Sequence, residues 1–130
     1  MRDGTIADFM RRDFLSVTPA TPMREAVARL VETQSSVAPV VDDEGHLLGI
    51  LSQKDCFAAA LNSAYYQRWS DSVARYMSEN VEVMDKALDI VSAAERFQAM
   101  PYRAFPVLSE GILVGMLSRS DLLKAFLDLG

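Results

Sequence analysis

Gly49-Ile50-Leu51-Ser52-Gln53-Lys54-Asp55 returns later in the chain as Gly115-Met116-Leu117-Ser118-Arg119-Ser120-Asp121. In each stretch a glycine opens a short apolar run that ends at a serine. An apolar stripe at helical spacing follows, Cys56, Phe57, Ala60 and Leu61 in one copy and Leu122, Leu123, Phe126 and Leu127 in the other. The pattern predicts a strand that ends where a helix begins, at the serine. Working outward, the repetition extends far beyond this motif. Met10, Val17, Ala26, Pro39 and Val40 recur as Met77, Val83, Ala93, Pro106 and Val107. The chain is therefore a duplicated unit. Such a repeat usually means that one copy cannot bury its apolar face alone.

Each copy reads as β-α-β-β-α. In the first, Thr5–Met10 is a short helical entry and Leu15–Thr18 a strand. Thr21 offers an N-cap hydroxyl and Pro22 the first helical position. Met23, Ala26, Val27, Leu30 and Val31 then form one helical face, expected to run to about Gln34. Val37–Val41 and His46–Leu51 are strands of a hairpin, turned at Gly45. In the second copy Val81–Met84 is the first strand, and Ile90, Ala93, Ala94 and Phe97 repeat the helical stripe. Ala104–Leu108 and Ile112–Leu117 form the hairpin. The predicted class is α/β (α+β), with two pseudo-twofold-related repeats packed through their sheets into one module. The boundaries are 5–61 for the first repeat, 62–71 for a connecting segment, and 72–129 for the second. That connecting segment holds Tyr65, Tyr66 and Trp69 and no Pro or Gly, so it reads as a helical continuation. Its aromatics either cover one end of the core or make an oligomer contact.

Composition narrows the function classes. The 130 residues are 50% hydrophobic and 24% charged, ordinary for one globular domain. The net charge is −5, and the positive residues are scattered, with Arg11-Arg12 the only basic pair. Nucleic-acid binders usually show a basic face, so none is expected as partner. No stretch reaches the ~20 apolar residues of a membrane span, and no signal peptide is expected at Met1–Gly4. Cys56 is the single cysteine, which excludes an intrachain disulfide and suits a reducing, cytoplasmic setting. One His and one Cys give no zinc spacing. No nucleophile–base–orienter set is present, so no catalytic residues and no enzyme activity are expected.

The repeated motif carries the chemistry. A helix start exposes unpaired N–H groups and the positive end of the dipole, which suits an anion. Ser52 and Ser118 can hydrogen-bond a phosphate there. Asp55 and Asp121, one turn later, can accept bonds from a ribose diol. Lys54 and Arg119 can neutralise phosphate charge. Ser-x-x-Asp at a helix start is equally a capping-box pattern, in which serine and aspartate satisfy the helix's own N–H groups. One carboxylate can serve either role. Pro39 and Pro106, inside apolar runs, cannot donate to a sheet ladder. They leave neighbouring backbone freer to meet a purine edge, or they simply block an edge strand against aggregation.

Taken in order and repeated, the apolar-Pro-Val segments and Gly-h-h-Ser-x-x-Asp motifs (h for apolar) resemble a tandem pair of cystathionine-β-synthase (CBS) domains, the Bateman module. The resemblance spans about Thr5 to Leu129. It implies a regulatory module, not an enzyme. Such a module binds AMP, ADP, ATP or S-adenosylmethionine in clefts between the copies and signals by a conformational shift. It requires no cofactor and commonly forms a homodimer; the module either regulates a target protein in trans or belongs to a longer protein. By position, Ser52 and Ser118 then face the phosphate, and Asp55 and Asp121 hold the ribose. The backbone around Val37-Ala38 and Ala104-Phe105 faces the adenine, and Thr18 and Met84 belong to the pocket wall. The chain has serine where ligand-binding members often have threonine, and Lys54 where they have arginine. Lysine cannot make a bidentate phosphate bond. In the second copy that slot is Ser120, with Arg119 one place earlier, so the two sites are expected to be unequal. The competing reading is a ligand-free dimerisation or protein-interaction module.

Overall fold

The computed structural model describes residues 4–66 and 69–129. The chain forms a mixed α/β fold built as two compact units, Leu15–Val81, and residues 4–14 together with 82–129. The sequence repeats and the compact units are therefore cut at different places. Each unit takes in the segment that precedes the other copy.

In the unit Leu15–Val81, α1 (Met23–Thr33) leads to an antiparallel hairpin of β1 (Val37–Val41) and β2 (Leu47–Ser52), then α2 (Gln53–Tyr66) and α3 (Val73–Tyr76). The expected strand Leu15–Thr18 reduces to one residue. Val17 makes a parallel bridge to Val40, held by Val17 N to Pro39 O and Val41 N to Val17 O. Helix α1 begins at Met23 with Pro22 as cap residue, one position later than expected. The Thr21 hydroxyl is instead spent on a turn, where it accepts from Thr18 N. Gln34 closes α1 with φ 55°, so its N–H returns to the last helical carbonyls. The helical continuation after Leu61 is present to Tyr66, while Trp69–Asp71 are not helical and Gln67–Arg68 lie outside the described residues. Trp69 packs against the core; Tyr65 and Tyr66 are exposed.

The other unit repeats this plan, with a 3-10 turn at Ile6–Asp8, β3 (Met84–Asp85), α4 (Ile90–Ala99), β4 (Ala104–Ser109), β5 (Ile112–Ser118) and α5 (Arg119–Leu129). β3 pairs parallel to β4, which pairs antiparallel to β5. The expected strand at Val81–Met84 is thus shorter and shifted. Both hairpins carry a register shift at the same place, after Val40 and after Val107, opposite Gly49 and Gly115. Asp89 caps α4 by accepting from Ser92 N. Hydrogen bonding from the Ser92 side chain, and then from its backbone N–H, holds the Asp89 carboxyl below the usual range.

Pro106 is not on an edge strand, since β4 lies between β3 and β5. Pairing with β3 begins at Val107, one residue beyond the proline, so no ladder donor is lost. Pro39 likewise sits in a strand flanked by β2 and the Val17 bridge.

Each unit has its own core. Val17, Met23, Ala26, Leu30, Ala38, Val40, Leu51, Cys56, Ala59 and Val73 fill one; Ile6, Met10, Met84, Ile90, Ala93, Phe105, Val107, Leu117, Leu122 and Ala125 fill the other. Burying a Leu or Ile side chain is worth ~1.5–3 kcal/mol, and the strands and helices are held by such residues. The stripes expected on α2 and α5 are split. Cys56 and Leu122 are buried, whereas Phe57, Leu61, Leu123 and Leu127 are exposed, because Ala59 and Ala125 supply the inward contacts instead.

Candidate ligand site at two helix starts

Two straps, equivalent by the repeat, fix the geometry at the ends of β2 and β5. In one unit the strap is Thr5–Arg11. Ile6 N donates to Leu88 O, Ala7 N to Lys86 O, and Arg11 exchanges two backbone bonds with Met116. In the other it is Ser72–Ser78. Val73 N donates to Thr21 O, Ala74 N to Pro19 O, and Ser78 exchanges two bonds with Ile50. Arg11 and Ser78 are therefore matched positions, each pinned to the strand two residues before the motif serine. The straps also explain the motif glycines. A Cβ at Gly49 would lie 2.7 Å from Ser78 O; one at Gly115 would lie 3.0 Å from Arg11 O and closer still to the Met10 side chain. The glycine admits the strap.

Just beyond, Ser52 and Ser118 begin the helices. Asp55 Oδ2 accepts from Ser52 N and from the Ser52 hydroxyl, both at 2.9 Å. Asp121 Oδ2 accepts from Ser118 N at 3.3 Å, and Asp121 N donates to the Ser118 hydroxyl at 3.1 Å. Gln53 N and Arg119 N are taken by Ser36 O and Arg103 O. The capping arrangement is thus closed at both helix starts. The second carboxylate oxygens differ. Among the described residues Asp55 Oδ1 has no hydrogen-bond partner, whereas Asp121 Oδ1 accepts from Arg11 Nε at 3.4 Å.

The remaining sequence-selected residues are distributed as follows. The Thr18 hydroxyl bonds to that of Thr21. The side chains of Ala38, Phe105 and Met84 are in the cores, so only their backbone is available at a surface. The Phe105 ring stacks edge-on with Phe97 and Tyr102, and Arg96 lies over it. The side chains of Pro39 and Pro106 are fully buried. Val37 and Ala104 are half-buried at the strand starts, opposite Ser52 and Ser118. Lys54 is exposed. Arg119 Nε donates to Tyr102 O, and its side chain lines an apolar groove between α4 and α5 with Phe97, Leu122 and Phe126. The matching groove between α1 and α2 is lined by Leu30, Cys56 and Phe57. Burial, and then the Asp55 charge, push the Cys56 thiol up.

Sequence reasoning missed Arg11 and Ser78 as neighbours of the motif. The signal was the recurrence of Met10 and Met77 immediately before them. Among the described residues no group of acidic, His and Cys side chains is placed to hold a metal, and no helix is long and apolar enough to cross a membrane.

The CBS domain model matches residues 6–62 and again 73–128. The chain belongs to the CBS domain family. A crystal structure of CBSX2 from Arabidopsis thaliana in complex with AMP is 27% identical to this CBS pair, with a TM-score of 0.84 over 96% of this chain and 97% of that one. The CBS pair of protein MJ0100, solved with 5′-methylthioadenosine and S-adenosyl-L-methionine, shares the fold at TM-score 0.80 and 18% identity, covering 98% of each chain. Among curated relatives, the uncharacterized protein MJ1225 of Methanocaldococcus jannaschii is 24% identical, covering 92% of this chain and 41% of that protein. A 17.7 kDa protein of Acidianus ambivalens is 29% identical, covering 86% and 66%. This CBS pair thus spans less than two-thirds of the length of these relatives.

Proposed function

We propose that this CBS pair is a regulatory module that binds an adenosine-containing ligand at the starts of α2 and α5. The observation that supports this best is the division of labour in Asp55. One oxygen caps the helix, and the other is left without a partner where a ribose diol can meet it. Ser52 and Ser118 then face the ligand's phosphate or equivalent group, with Lys54 as the base of the first site. Arg119, whose Nε is held by Tyr102 O, is the motif base of the second. The backbone of Val37, Ala38 and Pro39, and of Ala104, Phe105 and Pro106, lines the adenine side, with Thr18 and Met84 behind it. The net charge of −5 favours AMP or the cationic S-adenosylmethionine over ATP. Binding acts by population shift, because a ligand stabilises the arrangement it fits best. The bound module regulates a target protein. That CBSX2 is solved with AMP is consistent with this ligand class.

A second reading, a ligand-free dimerisation or interaction module, is favoured by the exposed apolar residues Phe57, Leu61, Leu123 and Leu127. A homodimer that covers these helix faces is compatible with both readings.

The test is thermal melting against AMP, ADP, ATP, S-adenosylmethionine, NAD and cyclic dinucleotides. A ligand at ~100 times its dissociation constant adds about 2.7 kcal/mol of stability. Asp55→Ala or Asp121→Ala should shrink the ligand-induced shift, read relative to each variant's own melting point because both remove a cap. A panel without any shift, or variants that respond like the parent, would refute the proposal.

A further inference from the structure

The two helix starts share a motif but differ in the strap beside it, and the difference is a charge. Arg11 and Ser78 hold equivalent positions, each fixed by a pair of backbone bonds to the strand. Ser78 leaves Asp55 Oδ1 unengaged, while Arg11 Nε rests on Asp121 Oδ1. The Arg11 side chain is 71% exposed and that of Asp121 15%. The terminal guanidinium nitrogens of Arg11 have no partner among the described residues. Arg119, the base that the motif itself supplies here, donates its Nε to Tyr102 O, and its side chain lines the groove between α4 and α5.

We propose that Arg11 sets the charge selectivity of the Asp121 site, so that this site takes a 5′-phosphorylated adenosine ligand and discriminates against the neutral nucleoside. This rests on the adenosine reading above. Two effects act in the same direction. The free guanidinium nitrogens supply charge-assisted bonds to a phosphate, the stronger class of hydrogen bond. A nucleoside without phosphate must compete with Arg11 for Asp121 Oδ1 and gains nothing in return. The ion pair is exposed and weak, so a phosphate can recruit the side chain at little cost. The Asp55 site, with Ser78 on its strap, lacks this contribution and has only Lys54 as a base.

The experiment is calorimetric titration of AMP and adenosine. In an Asp55→Ala background, which isolates the Asp121 site, Arg11→Ala should lower the AMP-over-adenosine affinity ratio by roughly tenfold, the scale of one charged hydrogen bond. Raised salt should lower the ratio in the Arg11 protein and leave it nearly constant in Arg11→Ala. In an Asp121→Ala background, Ser78→Arg should raise the ratio at the Asp55 site, an outcome that loss of folding cannot mimic. If Arg11→Ala leaves the ratio unchanged or raises it, the Arg11 assignment fails while the adenosine reading stands. If the unaltered chain binds neither AMP nor adenosine, the adenosine reading itself fails and the Arg11 assignment with it.

Discussion

Replacing Gly49 by alanine puts a methyl carbon 2.7 Å from Ser78 O, 3.2 Å from Met77 Sδ and 3.4 Å from the Ser78 carbonyl carbon. The nearest obstacle is backbone, held by two hydrogen bonds between Ser78 and Ile50. It cannot swing aside as a side chain can. Overpacking of this kind costs ~1–3 kcal/mol, and weakening two backbone bonds adds ~0.5–1.5 kcal/mol each. Against this, alanine reduces the entropy of the unfolded chain by ~0.4–1 kcal/mol. The net expectation for Gly49→Ala is a loss of about 3 kcal/mol. Gly115→Ala should cost less, about 1 kcal/mol on the same overpacking scale. There the closest atoms, at 2.5 and 2.8 Å, belong to the flexible Met10 side chain.

Urea unfolding followed by circular dichroism reads both variants, and Trp69 fluorescence reports the Leu15–Val81 unit separately. A double-mutant cycle separates the mechanisms. Truncation by Met10→Ala should relieve much of the Gly115→Ala penalty, giving a favourable coupling near 1 kcal/mol on the cycle's usual ~0.5–3 kcal/mol scale. Met77→Ala should relieve little of the Gly49→Ala penalty, because Ser78 O remains. A Gly49→Ala protein as stable as its parent, or equal couplings in the two cycles, would refute the view that these glycines exist to admit the straps.

Two further expectations concern α2 and α5. Burial and the neighbouring Asp55 raise the Cys56 thiol, so iodoacetamide at pH 8.5 should alkylate it much more slowly than an unfolded control. A raised folded value means that this group's contribution is full below the ordinary thiol value of about 8.5 and is lost as pH rises past the folded value. Cys56→Ala should remove that alkaline slope, and rapid alkylation of the native chain would contradict the burial. If a second copy covers the exposed helix faces, sedimentation equilibrium should show a dimer that Phe57→Ser with Leu123→Ser converts to monomer. A parent that stays monomeric at high concentration, or a variant that stays dimeric, would rule that surface out.

The parts legible in the sequence were those set by local periodicity. β1 spans the Val37–Val41 run, α1 follows the Met23–Leu30 stripe, and both motif helices begin directly after the serine. The α/β class and the CBS family follow from the same ordered signals. What periodicity does not encode is which partner a short segment chooses. Ile6 and Val73 look alike in sequence, and both are fully buried, but each packs into the unit of the copy that it does not precede: Ile6 with Met84 and Leu117, Val73 with Met23 and Leu51. The short edge segments at Leu15–Thr18 and Val81–Met84 also misled, because one or two ladder bonds suffice to hold them once Val40 and Val107 are in place. On α2 and α5 the buried stripe is displaced around the helix from the expected one: Phe57, Leu61, Leu123 and Leu127 are exposed, and Ala59 and Ala125 are buried. Ala59 and Ala125 are small enough to approach the core, so the larger Phe57 and Leu123 were left outside.

On the proposed reading, Asp55 and Asp121 serve both helix and ligand, each role with a different oxygen. At both helix starts Oδ2 is committed to the serine N–H, a bond that the helix needs whether or not anything binds. The proposed discrimination lies at Oδ1, where the copies differ: Asp121 Oδ1 accepts from Arg11 Nε. The motif serine and aspartate are the same in both copies, and within the motif the bases Lys54 and Arg119 differ in place. Arg11 and Ser78 lie outside that motif and meet it only through the strap, where backbone pairing to Met116 and Ile50 sets their position. Under the Arg11 proposal, a duplicated unit keeps its caps, its glycines and its folding while one exposed residue changes what a site prefers. Exchanging Arg11 and Ser78 should exchange the selectivities and leave the unfolding midpoint nearly unmoved, since substitutions at exposed positions usually shift stability by less than about 0.5 kcal/mol.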